Sequence, residues 1–107
     1  MADKLFVYGT LKNGKGKRAH VRGTLYNLGY YPGYTQTGND LVEGEIHDIT
    51  TDELKKLDLY EGVPQGLYRR EVIKTEDGDN VWVYIYAMSI HPTVPKIADG
   101  RWTNHDW

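Results

Sequence analysis

The sequence predicts one α+β domain, in which about five strands and one helix form either a curved sheet or a small barrel. Three observations lead to this expectation. The chain has 107 residues, which suits a single domain over residues 1–107. Short runs with the alternating pattern of strands recur along it, whereas only one stretch has a capped helical pattern. Its nine tyrosines, three tryptophans and one phenylalanine can fill one core.

The first half of the chain contains three predicted strands. Residues 5–8 form a short apolar run, and the glycine-rich residues 9–16 after it predict a loop. Residues 21–34 carry several apolar and aromatic side chains and predict an irregular strand, with a turn signal at Pro32-Gly33. Residues 42–47 alternate apolar or small with polar residues, as a half-buried strand does.

A helix is predicted next. Thr50 and Glu53 have the spacing of a capping box, in which each side chain bonds the backbone N–H of the other residue. Apolar residues then recur at helical spacing. Gly62 followed by Pro64 is the usual order of residues at a helix end.

The last part of the chain predicts a hairpin. Residues 68–75 and 80–88 have the composition of strands, and Asp77-Gly78-Asp79-Asn80 between them is a turn signal. The second strand carries bulky side chains on both faces. We therefore expect it to lie in the centre of the sheet.

Glu61 is the most informative candidate for chemistry. It falls on the same helical face as Leu54 and Leu57, and it lies at the helix C-terminus, where the macrodipole is negative. Burial and the dipole should both raise the pKa of its carboxyl. Such a group suits general acid–base chemistry near neutral pH, although a glutamate in the last turn can equally swing outward into water.

The loop after the first strand is a second candidate, as either an anion-binding site or an ordinary turn. Its successive backbone N–H groups could bind a carboxylate, a phosphate or a developing oxyanion. Residues 9–16 also match the spacing of a phosphate-binding P-loop, except that Gly16 replaces the residue that would hold magnesium. A P-loop domain needs a parallel sheet with several helices, which this chain cannot supply.

Composition excludes several classes of protein. The absence of cysteine excludes a disulfide scaffold, a thiolate zinc site and a cysteine nucleophile. The four histidines lack ligand spacing, so no metal is expected. No apolar run approaches about 18 residues, and no signal-peptide pattern begins the chain. We therefore expect a soluble, cytoplasmic protein that makes no membrane contact.

The charges are unevenly distributed. Residues 1–35 carry a net charge of +5 and residues 36–79 a net charge of −7. The basic side chains between residues 12 and 18 could contact nucleic acid or simply be solvated, and the acidic central segment disfavours nucleic acid. A dipolar surface of this kind could orient an anionic ligand toward the first third of the chain.

Several motifs together resemble one family. They are LFVYGTLK at 5–12, VEGE at 42–45, LDLYEG at 57–62, LYRR at 67–70, the aromatic strand at 81–86 and IADGRW at 97–102. In this order and spacing they resemble the gamma-glutamylcyclotransferase-like family over nearly the whole chain. The resemblance is closest to its short gamma-glutamylamine cyclotransferase branch.

The resemblance implies a fold and a set of site residues. The fold would be a small mixed β-barrel with flanking short helices and a cavity at one end. Glu61 would be the catalytic residue. The substrate-binding residues would be Tyr8, Gly9, Thr10, Leu11 and Tyr68.

The implied reaction needs neither cofactor nor metal. The α-amine of a γ-glutamyl amide attacks its own γ-carbonyl and releases 5-oxoproline and a free amine. The partner would then be a small γ-glutamyl compound, with no role for nucleic acid or membrane. Related acyl-amide chemistry and a noncatalytic module that binds γ-glutamyl or similar metabolites remain alternatives, and the sequence does not identify the leaving amine.

Overall fold

The computed structural model describes residues 3–9 and 12–102, within which the chain forms five strands and one helix. In chain order these are β1 (Asp3–Val7), β2 (Lys17–Asn27), β3 (Pro32–Ile49), α1 (Thr51–Tyr60), β4 (Tyr68–Lys74) and β5 (Asn80–Tyr86). The expected α+β class is confirmed.

The strands form one mixed sheet in the order β2-β3-β1-β5-β4. β1 runs antiparallel to β3 and parallel to β5, so the two halves of the sheet meet at β1. The sheet curves into a half-barrel. The backbone N–H of Glu76, beside the β4–β5 turn, reaches across to the carbonyl of His20 on β2 at 2.9 Å.

Both faces of the sheet are buried. Phe6 of β1 and Tyr8 just after it face the interior of the half-barrel, whereas Leu5 and Val7 of β1 belong to a second cluster with Leu54 of α1. β5 lies between β1 and β4 and contributes side chains to both clusters. The prediction that this strand is central, with two bulky faces, is confirmed.

The turn between β2 and β3 differs from the prediction. Pro32-Gly33 was expected to end a strand, but Pro32 is the first residue of β3. The turn lies just before it, where the N–H of Leu28 donates to the carbonyl of Tyr31 at 3.1 Å. Proline fits the first position of a strand because its missing N–H is not needed there.

The predicted capping box and hairpin are both present. The N–H of Glu53 donates to Thr50 Oγ1 at 3.1 Å, and the N–H of Thr50 donates to Glu53 Oε1 at 3.0 Å. β4 and β5 pair antiparallel. In the described part of the chain, no helix has the length and apolar character needed to cross a membrane.

Candidate active site

A cavity of about 200 Å³ lies at one end of the half-barrel. Its described lining comes from residues 6–9, 31 and 32, 60 and 61, 67 and 68, and 84. The cavity therefore lies between the end of β1, the start of β3, the end of α1, the start of β4 and one residue of β5. Residues that are far apart in the sequence meet here because β1 lies beside β5 and the start of β3 contacts both Gly9 and Tyr68.

Most of the predicted site residues line this cavity. Tyr8, Gly9, Glu61 and Tyr68 all do so. Thr10 and Leu11, also predicted to bind substrate, lie outside the described residues. The structure thus brings four of the six candidates together, and their roles in binding and catalysis stay predictions.

Glu61 is held at the cavity by the way α1 ends. It is the C-terminal cap, and the next residue, Gly62, has a φ of +71°. The N–H of Gly62 donates to the carbonyl of Leu59 at 3.2 Å, and the N–H of Val63 to that of Asp58 at 2.9 Å. These two bonds are the Schellman pattern, which needs a left-handed residue at the position of Gly62. The turn directs the chain away from the helix and leaves Glu61 beside the cavity.

The Glu61 carboxyl is half-buried, and burial raises its pKa above the ordinary value. None of the described residues donates a hydrogen bond to this carboxylate, so nothing described offsets the cost of burying its charge. The direction of the shift agrees with the sequence-based expectation. A carboxyl in this state can exchange a proton near neutral pH more readily than an exposed glutamate.

The hydroxyls of two tyrosines that line the cavity are bonded to the backbone. Tyr8 Oη donates to the carbonyl of Tyr84 at 2.5 Å and accepts from the N–H of Tyr34 at 3.3 Å. Tyr68 Oη donates to the carbonyl of Pro32 at 2.7 Å. Burial raises the pKa of both Tyr8 and Tyr68, so both phenols are neutral. Their hydrogen bonds hold both residues in the wall of the cavity.

Gly9 lies in close contact with Pro32. A Cβ atom at Gly9 would lie 2.9 Å from Pro32 Cγ, which real side chains do not tolerate. Gly9 has no positive φ, so the backbone conformation itself does not require glycine. The close approach of the β1 end to the start of β3 requires it instead.

A hydrogen-bonded network of charged side chains, which the sequence did not reveal, joins α1 to β4 and β5 next to the cavity. Arg70 on β4 bonds both carboxylate oxygens of Asp58 on α1, at 2.7 and 2.9 Å. Tyr84 Oη donates to the same carboxylate at 2.9 Å, and Tyr84 is also one of the cavity-lining residues. The Arg70 hydrogen bonds lower the pKa of Asp58. Asp58 lies three residues before Glu61 and thus about one helical turn away. This spacing is the only feature of the sequence that could have indicated that Asp58 lies near the site.

Two backbone amides between β1 and β2 bind a carboxylate of the chain itself. Glu45 accepts hydrogen bonds from the N–H groups of Asn13 at 3.1 Å and Gly14 at 2.9 Å, and from His47 Nε2 at 2.9 Å. Burial alone would raise the pKa of Glu45, but these bonds lower it. These loop amides therefore hold an internal anion, which agrees with the exclusion of a P-loop. Within residues 3–9 and 12–102, no group of three or more potential metal ligands occurs.

The half-barrel and its cavity define a small α+β protein whose open end can hold a small molecule next to a half-buried carboxyl with a raised pKa. The family profile "Gamma-glutamyl cyclotransferase, AIG2-like" matches residues 5–104. The chain belongs to this gamma-glutamylcyclotransferase family. The family recognised from the sequence motifs is thus confirmed.

Two relatives and one solved structure show the extent of the similarity. A Vibrio cholerae protein described as "Putative gamma-glutamylcyclotransferase" is 34% identical, over 95% of this chain and 96% of its own length. The gamma-L-glutamyl-butirosin B gamma-glutamyl cyclotransferase of Niallia circulans is 29% identical, over 77% of this chain and 65% of its own. The solution structure of Escherichia coli ytfP superposes with a TM-score of 0.72 at 32% identity, covering 97% and 99% of the two chains.

Proposed function

We propose that this single-domain protein is a cyclotransferase that cleaves a γ-glutamyl amide to 5-oxoproline and a free amine. Membership of the family supports the reaction class. The observation that carries the proposal is the half-buried Glu61 carboxyl, which lines the cavity, has a raised pKa and receives no hydrogen bond from the described residues.

The reaction forms one C–N bond and breaks another. The α-amine of the glutamyl group attacks the γ-carbonyl carbon and closes a five-membered lactam, and the bond from that carbon to the amide nitrogen breaks. The α-ammonium loses two protons on becoming the lactam N–H. The leaving nitrogen gains two on becoming an ammonium ion, so atoms and charge balance without water or a cofactor.

Glu61 is proposed to carry these protons. Its carboxylate takes a proton from the α-ammonium, which makes the nitrogen nucleophilic, and returns it to the leaving nitrogen. A raised pKa matches this task because the group must both accept and release a proton near neutral pH. Proton transfer by a placed group is typically worth about 10²–10⁴-fold in rate.

The end of β1 is proposed to hold the glutamyl half of the substrate. The cavity wall there consists of Tyr8, Gly9 and Tyr68, and backbone N–H groups from Gly9 to Leu11 would bind the α-carboxylate or the oxyanion. A wall that hydrogen bonds hold rigid can keep a flexible glutamyl chain in its ring-closing shape. Such positioning contributes several kcal/mol to catalysis.

The test is to incubate the protein with a panel of γ-glutamyl amides and to detect 5-oxoproline by mass spectrometry. Wild-type protein should form 5-oxoproline and the free amine in equal amounts, and Glu61→Gln should not. Binding of γ-glutamyl compounds in calorimetry without any product would favour the noncatalytic binding module instead. The cytoplasmic location expected from the sequence stays a prediction.

A further inference from the structure

Two exposed tyrosines form the rim of the cavity. Tyr60, the last residue of α1, is 75% exposed, and Tyr31, just before β3, is 39% exposed, yet both line the cavity. Half-buried Leu67 lines it as well. Large apolar side chains that surround the opening of a cavity, rather than pack into the core, are typical of a binding surface.

The rim tyrosines are continuous with the inner wall of the cavity, where hydrogen bonds hold Tyr68 in place. The ring of Tyr31 lies 6.4 Å from the ring of Tyr68, measured between centroids, and Tyr68 packs edge-on against Tyr86 at 5.4 Å. A row of aromatic rings therefore leads from the sheet to the opening. A flat apolar group that extends out of the cavity would contact this row.

The charges around the cavity disfavour a negative group at the rim. Among the described lining residues, Glu61 is the only carboxylic acid, and no lysine, arginine or histidine is among them. The rim also contains the C-terminal end of α1, whose last turn has no basic residue. The negative end of the helix dipole therefore lies at the rim.

We propose that Tyr31, Tyr60 and Leu67 form the leaving-group subsite, and that it takes an amine with an apolar, preferably aromatic, body and no carboxylate. This inference rests on the proposed function, because the glutamyl half must occupy the inner cavity beside Glu61. The amide nitrogen then lies next to Glu61, and the body of the amine extends between the rim tyrosines.

Three substrates test the subsite: the γ-glutamyl amides of 2-phenylethylamine, of ethylamine and of phenylalanine. The second lacks the ring, and the third adds one carboxylate to the first. We expect kcat/KM for the phenylethylamide to exceed that of each other substrate by about 10–100-fold, the range set by burying or exposing one ring. Equal or faster cleavage of the phenylalanine derivative would overturn the proposal.

Variants identify the residues responsible. Tyr60→Ala should reduce the preference for the phenylethylamide over the ethylamide to about threefold or less. Tyr30→Ala is the matched control, because Tyr30 is 78% exposed, adjacent to Tyr31 and not among the lining residues. It should keep the wild-type preference. A preference that survives Tyr60→Ala would contradict the assignment of the rim.

Calorimetry with the Glu61→Gln protein separates this inference from the proposed function. The same two amides can be titrated without turnover, and the phenylethylamide should bind about 10–100-fold tighter. If wild-type protein releases no 5-oxoproline but this affinity ratio holds, the proposed reaction fails and the subsite stands. If 5-oxoproline forms and the ratio is near one, the subsite fails and the reaction stands.

Discussion

Glu61 is the residue on which the proposed chemistry depends, because it is the one titratable carboxyl that the described cavity lining contains. Three features act on it together. Burial raises its pKa, the helix C-terminus disfavours its negative charge, and the Schellman turn at Gly62 determines its position. Each feature costs some stability or restricts the chain, which is the usual pattern at a catalytic group.

Glu61→Gln should lower kcat by at least about 10²-fold with the fold intact, because the amide cannot accept the ammonium proton. The same substitution should also raise the Tm slightly at about pH 7. The folded pKa is raised, so the folded state holds this proton more strongly than the unfolded chain. The stability from the neutral form is therefore lost as the pH rises through the folded pKa. Melting curves should converge below the ordinary glutamate pKa of about 4.3.

Asp52→Asn is the matched control, since Asp52 is an exposed acid in the first turn of the same helix, outside the cavity lining. It should keep full activity and lose about 0.3–1 kcal/mol of stability, because an acid is favourable at a helix N-terminus. Retention of more than a few per cent of wild-type activity by Glu61→Gln would show that another group carries the proton.

Asp58→Asn should destabilise the protein by about 1–3 kcal/mol, because it removes a charged acceptor from Arg70 and Tyr84. The Arg70 bonds lower the folded pKa of Asp58. Its contribution is therefore present above the ordinary aspartate pKa of about 3.9 and is lost as the pH falls through the folded value. Urea unfolding at several pH values should show the wild-type advantage shrinking in acid. An advantage that stays constant down to about pH 2 would contradict this role.

The site residues that could be predicted from the sequence are those that a local sequence pattern or a family motif identifies. Glu61 could be found because its helical face and the Gly62 signal are local. Tyr84 and Arg70 were missed as site residues because they pair across β4 and β5, and no local spacing encodes that contact. Pro32 was missed because it reaches the cavity through tertiary contacts with Gly9 and Tyr68.

The end of α1 is the element that links the fold to the site. Gly62→Ala should cost about 1–2 kcal/mol, because alanine resists the left-handed conformation at φ +71°. It should also lower kcat, because Glu61 is the adjacent cap residue. Gly78→Ala is the matched control, since Gly78 has a φ of +91° in the hairpin turn, with open space around it.

Melting temperatures and kcat of the two glycine variants check this claim. Gly62→Ala should lose somewhat more stability than Gly78→Ala, because its Cβ would also lie 3.1 Å from Leu67 Cβ, whereas Gly78 has open space. Only the Gly62 variant should lose activity at a temperature where both are folded. Equal activity of the two would show that the Schellman turn does not determine the position of Glu61.

Elements with strong local signals were predicted well. The capping box of α1 and the β4–β5 hairpin occur where the sequence places them. The β2–β3 connection was misplaced because Pro-Gly is a turn signal in isolation. In the folded chain Pro32 begins a strand next to Gly9 and accepts the hydrogen bond from Tyr68. Tertiary contacts override the local preference there.

At the scale of the whole molecule, the two charged segments of the sequence neutralise each other. Four basic residues of the positive first third pair with acids of the negative middle segment: Lys4 with Asp48, Lys17 with Asp79, Arg18 with Glu43 and Arg22 with Glu76. The pairs form because β3 and the hairpin turn lie beside β1 and β2. The dipolar surface expected from the sequence is therefore much reduced in the folded chain.

Salt should then affect the reaction weakly. We expect kcat/KM for a γ-glutamyl amide to change by less than about threefold between about 0.02 and 0.5 M NaCl, since paired charges produce little long-range field. Initial rates at low substrate concentration measure this directly. A fall of tenfold or more would show that the first third still attracts the α-carboxylate of the substrate.

Composition and hydrophobic pattern did not decide whether the strands form a curved sheet or a closed barrel. The closure of the sheet depends on a parallel β1–β5 pair and on a contact from the β4–β5 turn to β2, which join distant parts of the chain. Only the resemblance to a family favoured the barrel. The half-barrel retains an open end, and the cavity lies there.

The most direct test of the central claim compares a γ-glutamyl amide with its α-N-acetyl derivative. Cyclisation needs the free α-amine as nucleophile, so wild-type protein should convert the parent amide to 5-oxoproline and leave the acetylated compound intact. Release of the amine from both compounds at similar rates, with N-acetylglutamate as the second product, would contradict the account. It would mean that water attacks the amide, even if Glu61 proves to be catalytic.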